Sequence, residues 1–404
     1  MIVHSRSAAT PMILKREFFL SPLAALAFAT TTLAGPRARD LGVPFDGKPG
    51  PNNAITDVVG VLVGHSTIIR GEGDLRIGFG PVRTGVTAIL PTGKTYRPVF
   101  AAWDTLNGNG EMTGTTWIEE SGFLEEPILL TNTRSIGVVH DAVWSWRLAR
   151  AYHNPGDGYS WAALPVVAET WDGRLNDIHG NHVKKHHVFE ALDRAHAGAV
   201  AEGNVGGGTG MVCHRFKGGI GSASRVVEGG FVIGVLVQAN YGPRETLTIA
   251  GVPVGREITD LMPEIHSLDP PHEGNSILVI IATDAPLLPH QLKALAKRAT
   301  VGLGRVGGFG ANSSGDLFLA FSTSRTSPTD SKDVRTARML SNSKLTPLFL
   351  ATAQATEEAI VNALVAAETM TGINHNKVYA LPHDRLREVL KKYNRLSDHG
   401  DASH

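Results

Sequence analysis

A serine that follows Gly274-Asn275 and opens an unbroken apolar run stands where a hydroxyl can do chemistry. The stretch reads Pro271-His-Glu-Gly-Asn-Ser276-Ile-Leu-Val-Ile-Ile-Ala-Thr-Asp-Ala-Pro286. Gly and Asn tolerate strained or left-handed backbone, and a strained peptide bond beside a hydroxyl is open to attack by it. The expectation is that the chain cuts itself between Asn275 and Ser276, which makes Ser276 the first residue of a new fragment and a nucleophile. Its freed α-amino group, with an ordinary pKa of about 7.7–8.0, is a feasible proton acceptor. The plainer alternative is a tight turn into a core strand, and the short motif alone favours it.

Further residues are spaced to serve such a nucleophile. Asn312-Ser-Ser314-Gly-Asp316 puts a hydroxyl and a carboxylate two residues apart at the mouth of a strand, where positions i and i+2 share a face. Ser314 and Asp316 could relay a proton from Ser276; read alone, the motif is a polar turn. Asn240 closes a second apolar run, where a side-chain amide can donate to a developing oxyanion. Glu169 follows a third, with Trp171 two residues on, and a carboxylate beside an aromatic suits a substrate ammonium group. A turn asparagine and a surface glutamate are the ordinary alternatives.

Two other clusters carry less. His179, His182, His186, His187 and His196 invite a metal, but Lys184 and Lys185 disfavour a dication and the zinc-protease glutamate is missing. Gly203-Asn-Val-Gly-Gly-Gly-Thr-Gly210 follows a predicted helix and lacks the Lys-Ser/Thr ending of a phosphate loop. Neither a metal nor a cofactor is expected. The single cysteine, Cys213, lies in an apolar stretch and reads as a small buried hydrophobe.

Elements must hold these groups. Ser276–Thr283 and 231–239 read as fully buried strands, 317–322 and 164–168 as shorter ones, and Gly85–Gly93 as another. Residues 54–65 read as a strand pair turning at Gly60, 127–139 as paired strands, and 218–225 as a glycine-rich bend. Helices are expected over 141–152, 183–202 with its stop at Gly203, 289–301 and 347–370. Buried strands alternating with helices need both sheet faces covered, which gives an α/β fold of stacked sheets between helical layers.

The bulk properties fit an ordinary globular protein with ample length for a large core. The 404 residues are 42% hydrophobic and 19% charged, with no net formal charge. That balance argues against a nucleic-acid partner or an anionic membrane surface. Near the N-terminus, Lys15-Arg16 precedes a short apolar run, 18–29, and small residues up to Ala34. Residues 1–34 are therefore expected to be a secretory signal, with translation starting at Met1 or Met12, and the protein to be periplasmic or secreted. The apolar run is too short for a comfortable membrane span.

Several of these segments together resemble one family. They are Ala54-Ile-Thr-Asp-Val with Val63-Gly-His65, Leu106-Asn-Gly-Asn-Gly-Glu111, Pro165-Val-Val-Ala-Glu169, Gln238-Ala-Asn-Tyr-Gly242, and Asn275-Ser276 with Ala282-Thr-Asp-Ala-Pro-Leu-Leu-Pro-His290. The combination is similar to the L-aminopeptidase/D-amidase-esterase family, which includes the β-peptidyl aminopeptidases. The resemblance implies a precursor cut into an α chain, 35–275, and a β chain, 276–404, of one catalytic domain. It implies an α/β/β/α sandwich like that of N-terminal nucleophile hydrolases, with the connectivity of the ornithine acetyltransferase-like fold. It also implies an oligomer of αβ heterodimers.

By that resemblance Ser276 is the nucleophile, Ser314 the second active-site serine and Asp316 its acidic partner, where Glu is expected to be common. Asn240 is the oxyanion donor, Glu169 holds the substrate amine, and Trp171 is an aromatic position that is Tyr in some members. Trp171 and the Asn before the cut lean towards β-amino acids in short peptides or amides, with L- or D-residues as further candidates. Whether Ser314, Asp316 or the α-amino group moves the proton stays open. Acyl transfer between amines, or a non-catalytic exported binding protein, are the alternatives.

Overall fold

Runs of apolar, often β-branched residues form the strands, and their side chains alternate between two cores. The computed structural model describes Met1 and residues 35–153, 164–266, 276–324 and 336–397. In chain order the strands are β1 (Leu62–Arg70), β2 (Val82–Lys94), β3 (Val99–Gly108), β4 (Phe123–Leu124), β5 (Ile128–Asn132) and β6 (Val166–Thr170). They continue with β7 (Val212–Cys213), β8 (Phe216–Lys217), β9 (Gly219–Val226), β10 (Val232–Asn240), β11 (Ser276–Thr283) and β12 (Gly315–Ser322). The helices are α1 (Thr115–Ser121), α2 (Ile136–Arg150), α3 (Lys185–Asp193), α4 (Val254–Glu257), α5 (Pro289–Ala296), α6 (Ala299–Arg305), α7 (Thr346–Val365) and α8 (His383–Lys392).

One sheet has the order β1-β2-β5-β6 and the other β4-β3-β12-β11-β10-β9. Along β11 the two-residue period sorts the core. Ile277, Val279 and Ile281 pack with Leu292 and Leu295 of α5 and Ala355 and Ile360 of α7. Leu278, Ile280 and Ala282 point the other way, onto Ile128, Leu130 and Val166 of the four-stranded sheet. The far face of that sheet, with Val86, Leu129 and Val167, packs under Val143 and Trp146 of α2 and Leu192 of α3. The layers are therefore α/β/β/α, as expected. Among the described residues no helix is long and apolar enough to cross a membrane.

Four local expectations are corrected. Residues 219–226 are a strand, not a bend. A Cβ on Gly221 would stand 2.0 Å from the Ala359 carbonyl oxygen, so the glycine serves the close approach of α7 rather than a turn. The helix expected to Glu202 stops at Asp193, because His196 exchanges backbone hydrogen bonds with Val63 at 3.0 and 3.1 Å. Residues 55–57 form a short 3-10 turn, and only β1 is a strand there. Strand β5 ends at Asn132, whose side chain accepts from Arg134 N at 3.1 Å and leads the chain into α2.

The site lies at one end of the six-stranded sheet. Strands β10 and β11 are antiparallel, so the last residue of one, Asn240, faces the first of the other, Ser276. Strands β11 and β12 are parallel, so Ser276 also neighbours Gly315, which opens β12. On its other side Gly315 faces Gly108, where β3 ends.

Candidate active site

Ser276 is a hydroxyl held at the head of a buried strand. Its Oγ accepts a hydrogen bond from Gly315 N at 3.0 Å. The residue is 8% exposed, reachable where the rest of β11 is sealed. Asn275 and the bond joining it to Ser276 lie outside the described residues.

The Asn240 amide is held from two sides, which fixes which of its ends is oxygen. Oδ1 accepts from Val212 N at 2.8 Å, and Nδ2 donates to the Trp171 carbonyl at 2.9 Å. An amide nitrogen carries two hydrogens, so Nδ2 can serve Trp171 and one further acceptor. Trp171 therefore joins the site through its backbone; its side chain is half-buried and leans over Gly173.

Ser314 and Asp316 are together, as the i, i+2 spacing predicted. Ser314 Oγ donates to Asp316 Oδ1 at 2.6 Å, so the aspartate reaches the serine. Burial pushes the Asp316 carboxyl up to about 6, against the stabilising bonds from Ser314 and the Ile277 N–H. Tyr241, which follows Asn240, is buried, and its hydroxyl has no partner among the described residues. It lines a small cavity with Gly242, Phe309, Gly310, Ser314 and Asp316.

Glu169 comes from the other sheet and meets the first across the Asn107-Gly-Asn-Gly-Glu111 loop. Asn109 N donates to the Ser314 carbonyl at 3.1 Å, and Glu111 N donates to Glu169 Oε1 at 3.1 Å. Between them Gly110 lies against Gly315 and Glu169. Thr133 Oγ1 donates to Glu169 Oε2. Burial raises the Glu169 carboxyl above the usual carboxylate range, the Thr133 and Glu111 hydrogen bonds oppose that, and the Glu111 charge adds to it. Among the described residues no cation pairs with it, so a bound ammonium group would supply the missing charge.

Sequence reasoning missed Thr133, Tyr241 and the bridging part played by the Asn-Gly-Asn-Gly-Glu loop. Thr133 had a signal: Thr131-Asn-Thr133 ends an apolar run just as Glu169-Thr170 does, and the two strands are parallel with Thr131 paired to Glu169. Of the side clusters, His182 Nε2 bonds Asp177 at 2.8 Å in a buried pair, and His186 stacks on His187. The Gly206–Gly208 turn is buried, where a Cβ on Gly207 would stand 2.2 Å from Gln238 Oε1. Cys213 is fully buried, and burial pushes its thiol up to about 12.

Known proteins are similar to this chain along most of its length. Residues 53–378 match Peptidase family S58. A beta-peptidyl aminopeptidase of Sphingosinicella microcystinivorans is 54% identical over 378 residues, which cover 90% of this chain and 94% of that protein. The solved L-aminopeptidase D-Ala-esterase/amidase of Ochrobactrum anthropi, described as a prototype serine aminopeptidase and a new variant of the Ntn hydrolase fold, superposes with a TM-score of 0.82. It is 50% identical, with 90% of this chain and all of that one covered. A Burkholderia beta-aminopeptidase gives 0.78 at 47% identity, with 88% and 99% covered. Matched over most of its length and half identical to such relatives, this chain belongs to Peptidase family S58.

Proposed function

We propose that the chain cuts itself between Asn275 and Ser276, and that Ser276 then releases N-terminal β-amino acids from short peptides and amides. That the chain is a serine aminopeptidase follows from its family and from relatives at about half identity, which leaves the binding-protein alternative without support. The observation that carries the reading is the meeting of Ser276, Asn240 and Gly315 at one sheet end, with Glu169 behind the loop at Gly110.

In this reading Ser276 Oγ attacks the Asn275 carbonyl; the C–N bond breaks as the ester forms, which frees the Ser276 α-amino group, and water then hydrolyses the ester to release the Asn275 carboxylate and restore the hydroxyl. The same oxygen then attacks the substrate carbonyl, the C–N bond breaks to leave an acyl-enzyme, and water hydrolyses that ester to release the amino acid. The hydroxyl proton passes to the α-amino group or towards the Ser314–Asp316 pair, and the leaving amine takes one up. Asn240 Nδ2 steadies the oxyanion, a contact whose loss typically costs on the order of 10²–10³ in rate. Glu169 holds the substrate's free amine and so limits cleavage to the first residue. The β-amino-acid preference is supported by the names of the Sphingosinicella and Burkholderia relatives and by Trp171.

The reading extends to export by residues 1–34, supported by Lys15-Arg16 ahead of an apolar run, and to an oligomer of αβ heterodimers. It also takes the connectivity to be that of the ornithine acetyltransferase-like fold. N-terminal sequencing of purified protein on a denaturing gel tests the core of it. Two fragments are expected, the smaller beginning Ser-Ile-Leu-Val, with β-alanyl amides turned over faster than L- or D-alanyl amides. A single uncut chain with full activity would overturn the proposal, and Ser276→Ala is expected to stay whole and inert.

A further inference from the structure

Among the described residues one lysine is fully buried; the proposed mechanism leaves it unused, and it stands behind the oxyanion contact. Lys217 is 0% exposed, and its Nζ donates to the carbonyls of Met211 at 2.8 Å, Gly218 at 2.8 Å and Gly208 at 3.3 Å. Three acceptors use all three hydrogens of an ammonium. Keeping that charge inside is costly, for burial pulls the Lys217 ammonium down to about 7.

The Met211 contact matters most. The Met211 C=O and the Val212 N–H belong to one peptide unit, and that unit is planar, so fixing the oxygen fixes the direction of the N–H. The Val212 N–H is the donor that holds Asn240 Oδ1 at 2.8 Å. Gly218, between β8 and β9, closes the assembly, its N–H donating to the same Met211 carbonyl at 2.9 Å. Lys217 thus acts on Asn240 through a single rigid peptide plane.

We propose that Lys217 is a positioning residue: it locks the Met211–Val212 peptide so that the Asn240 amide presents its nitrogen, not its oxygen, to the oxyanion at Ser276. The proposal rests on the reading of Asn240 as oxyanion donor. Without the ammonium the Met211 carbonyl keeps only the Gly218 N–H, the peptide is freer to turn, the Val212 N–H leaves Oδ1, and the amide loses one of the two contacts that tell its ends apart.

Lys217→Met keeps length and apolar bulk and removes every donor. It is expected to lower kcat, and to slow precursor cleavage, by about 10- to 100-fold, because a misplaced donor costs nearly as much as a missing one. KM is expected to stay within about 2-fold, since the amine contact is made by Glu169 on the other sheet. A boronic acid analogue of the substrate, which becomes a tetrahedral anion on Ser276, should bind more weakly by the same factor, while a simple amine competitor binds unchanged. Asn240→Ala is measured alongside. If it slows cleavage and turnover while Lys217→Met leaves both within about 2-fold, this inference is overturned and the reading of Asn240 stands. If Asn240→Ala itself is harmless, the reading of Asn240 falls. Equal loss of boronate and amine binding in Lys217→Met would mean a general distortion and overturn the inference. Should Lys217→Met give no soluble protein, Lys217→Leu, which also removes every donor, carries the same test; loss of both would make Lys217 a residue of the fold and end the proposal.

Discussion

Gly315 N–H points at Ser276 Oγ, 3.0 Å away, across the parallel pair of β11 and β12. A glycine is required there. A Cβ on residue 315 would stand 2.6 Å from the Asn109 carbonyl oxygen and 2.7 Å from Gly110 Cα, and neither backbone atom can swing aside as a side chain could. Gly315→Ala is therefore expected to push the Asn107–Glu111 loop off β12. That move disturbs the bond to Ser276 and, through Gly110 and Glu111, the carboxylate of Glu169. Self-cleavage and turnover should both fall by at least about 10²-fold in a protein that keeps its far-ultraviolet circular dichroism. Wild-type rates in Gly315→Ala would show that the close packing at this point does not hold the site.

The strands that carry the site were the most legible part of the sequence. Residues 276–283 form β11 with the bounds expected, because a buried strand is apolar at every position and little else of that length is. The pairing of Ser314 with Asp316 followed from the two-residue period. What escaped was whatever depends on an approach between distant segments. Gly221 looks like a bend residue until α7 is seen against it, and residues 194–202 look helical until Val63 takes their hydrogen bonds. Lys217 reaches Asn240 only through a neighbouring peptide plane, and no local pattern marks such a contact.

Glu169 should give Michaelis constants an acid limb at higher pH than an ordinary glutamate would. Burial raises its pKa, so it takes up a proton, and loses its hold on an ammonium group, while pH is still above the usual carboxylate range. KM for a free-amine substrate should therefore rise as pH falls through that raised value, with kcat less affected. Glu169→Gln removes the charge at every pH. It should raise KM about 10- to 100-fold, the worth of a hydrogen bond to a charged group, and abolish the limb. The pH profile of KM in the two proteins checks this; an unchanged limb in Glu169→Gln would assign it to another group.

Asp316 should trade stability for function. Its folded pKa of about 6 lies above the ordinary 3.8, so between those values the folded chain holds a proton that the unfolded chain has lost. Stability from this group is present below the ordinary value and is lost as pH rises through about 6. At about pH 8 the buried charge then costs on the order of 2–3 kcal/mol. Asp316→Asn is neutral and nearly the same shape. It should melt a few degrees higher than wild type at about pH 8, match it near pH 4, and turn over more slowly at both. Melting curves at the two pH values decide; a variant less stable at the higher pH would show that the charged form is the better held one.

Glu358 should hold the two proposed fragments together after the cut. It is fully buried on α7, in the segment after Ser276, and its partners all lie before Asn275. Arg39 binds it through two nitrogens at 2.8 Å, Arg225 reaches it at 2.7 Å, and Asn53 donates to the same carboxylate. Burial works against the ionised form, yet Arg39 and Arg225 outweigh it and hold the Glu358 carboxyl below its usual range. The stability it supplies is therefore present above the ordinary glutamate pKa, about 4.3, and is lost as pH falls through the lower folded value. Removing one partner of a buried ion pair costs about 3–5 kcal/mol, because the other charge is left unpaired in the interior. Glu358→Ala should therefore lower the melting temperature of the cut enzyme and let its fragments separate on dilution during size exclusion. In the uncut Ser276→Ala background the same substitution should leave the chain in one piece at every concentration, since the covalent link keeps the local concentration of the two halves high. Cut Glu358→Ala that stays associated at nanomolar concentration, with wild-type melting, would show that the sheet alone joins the halves.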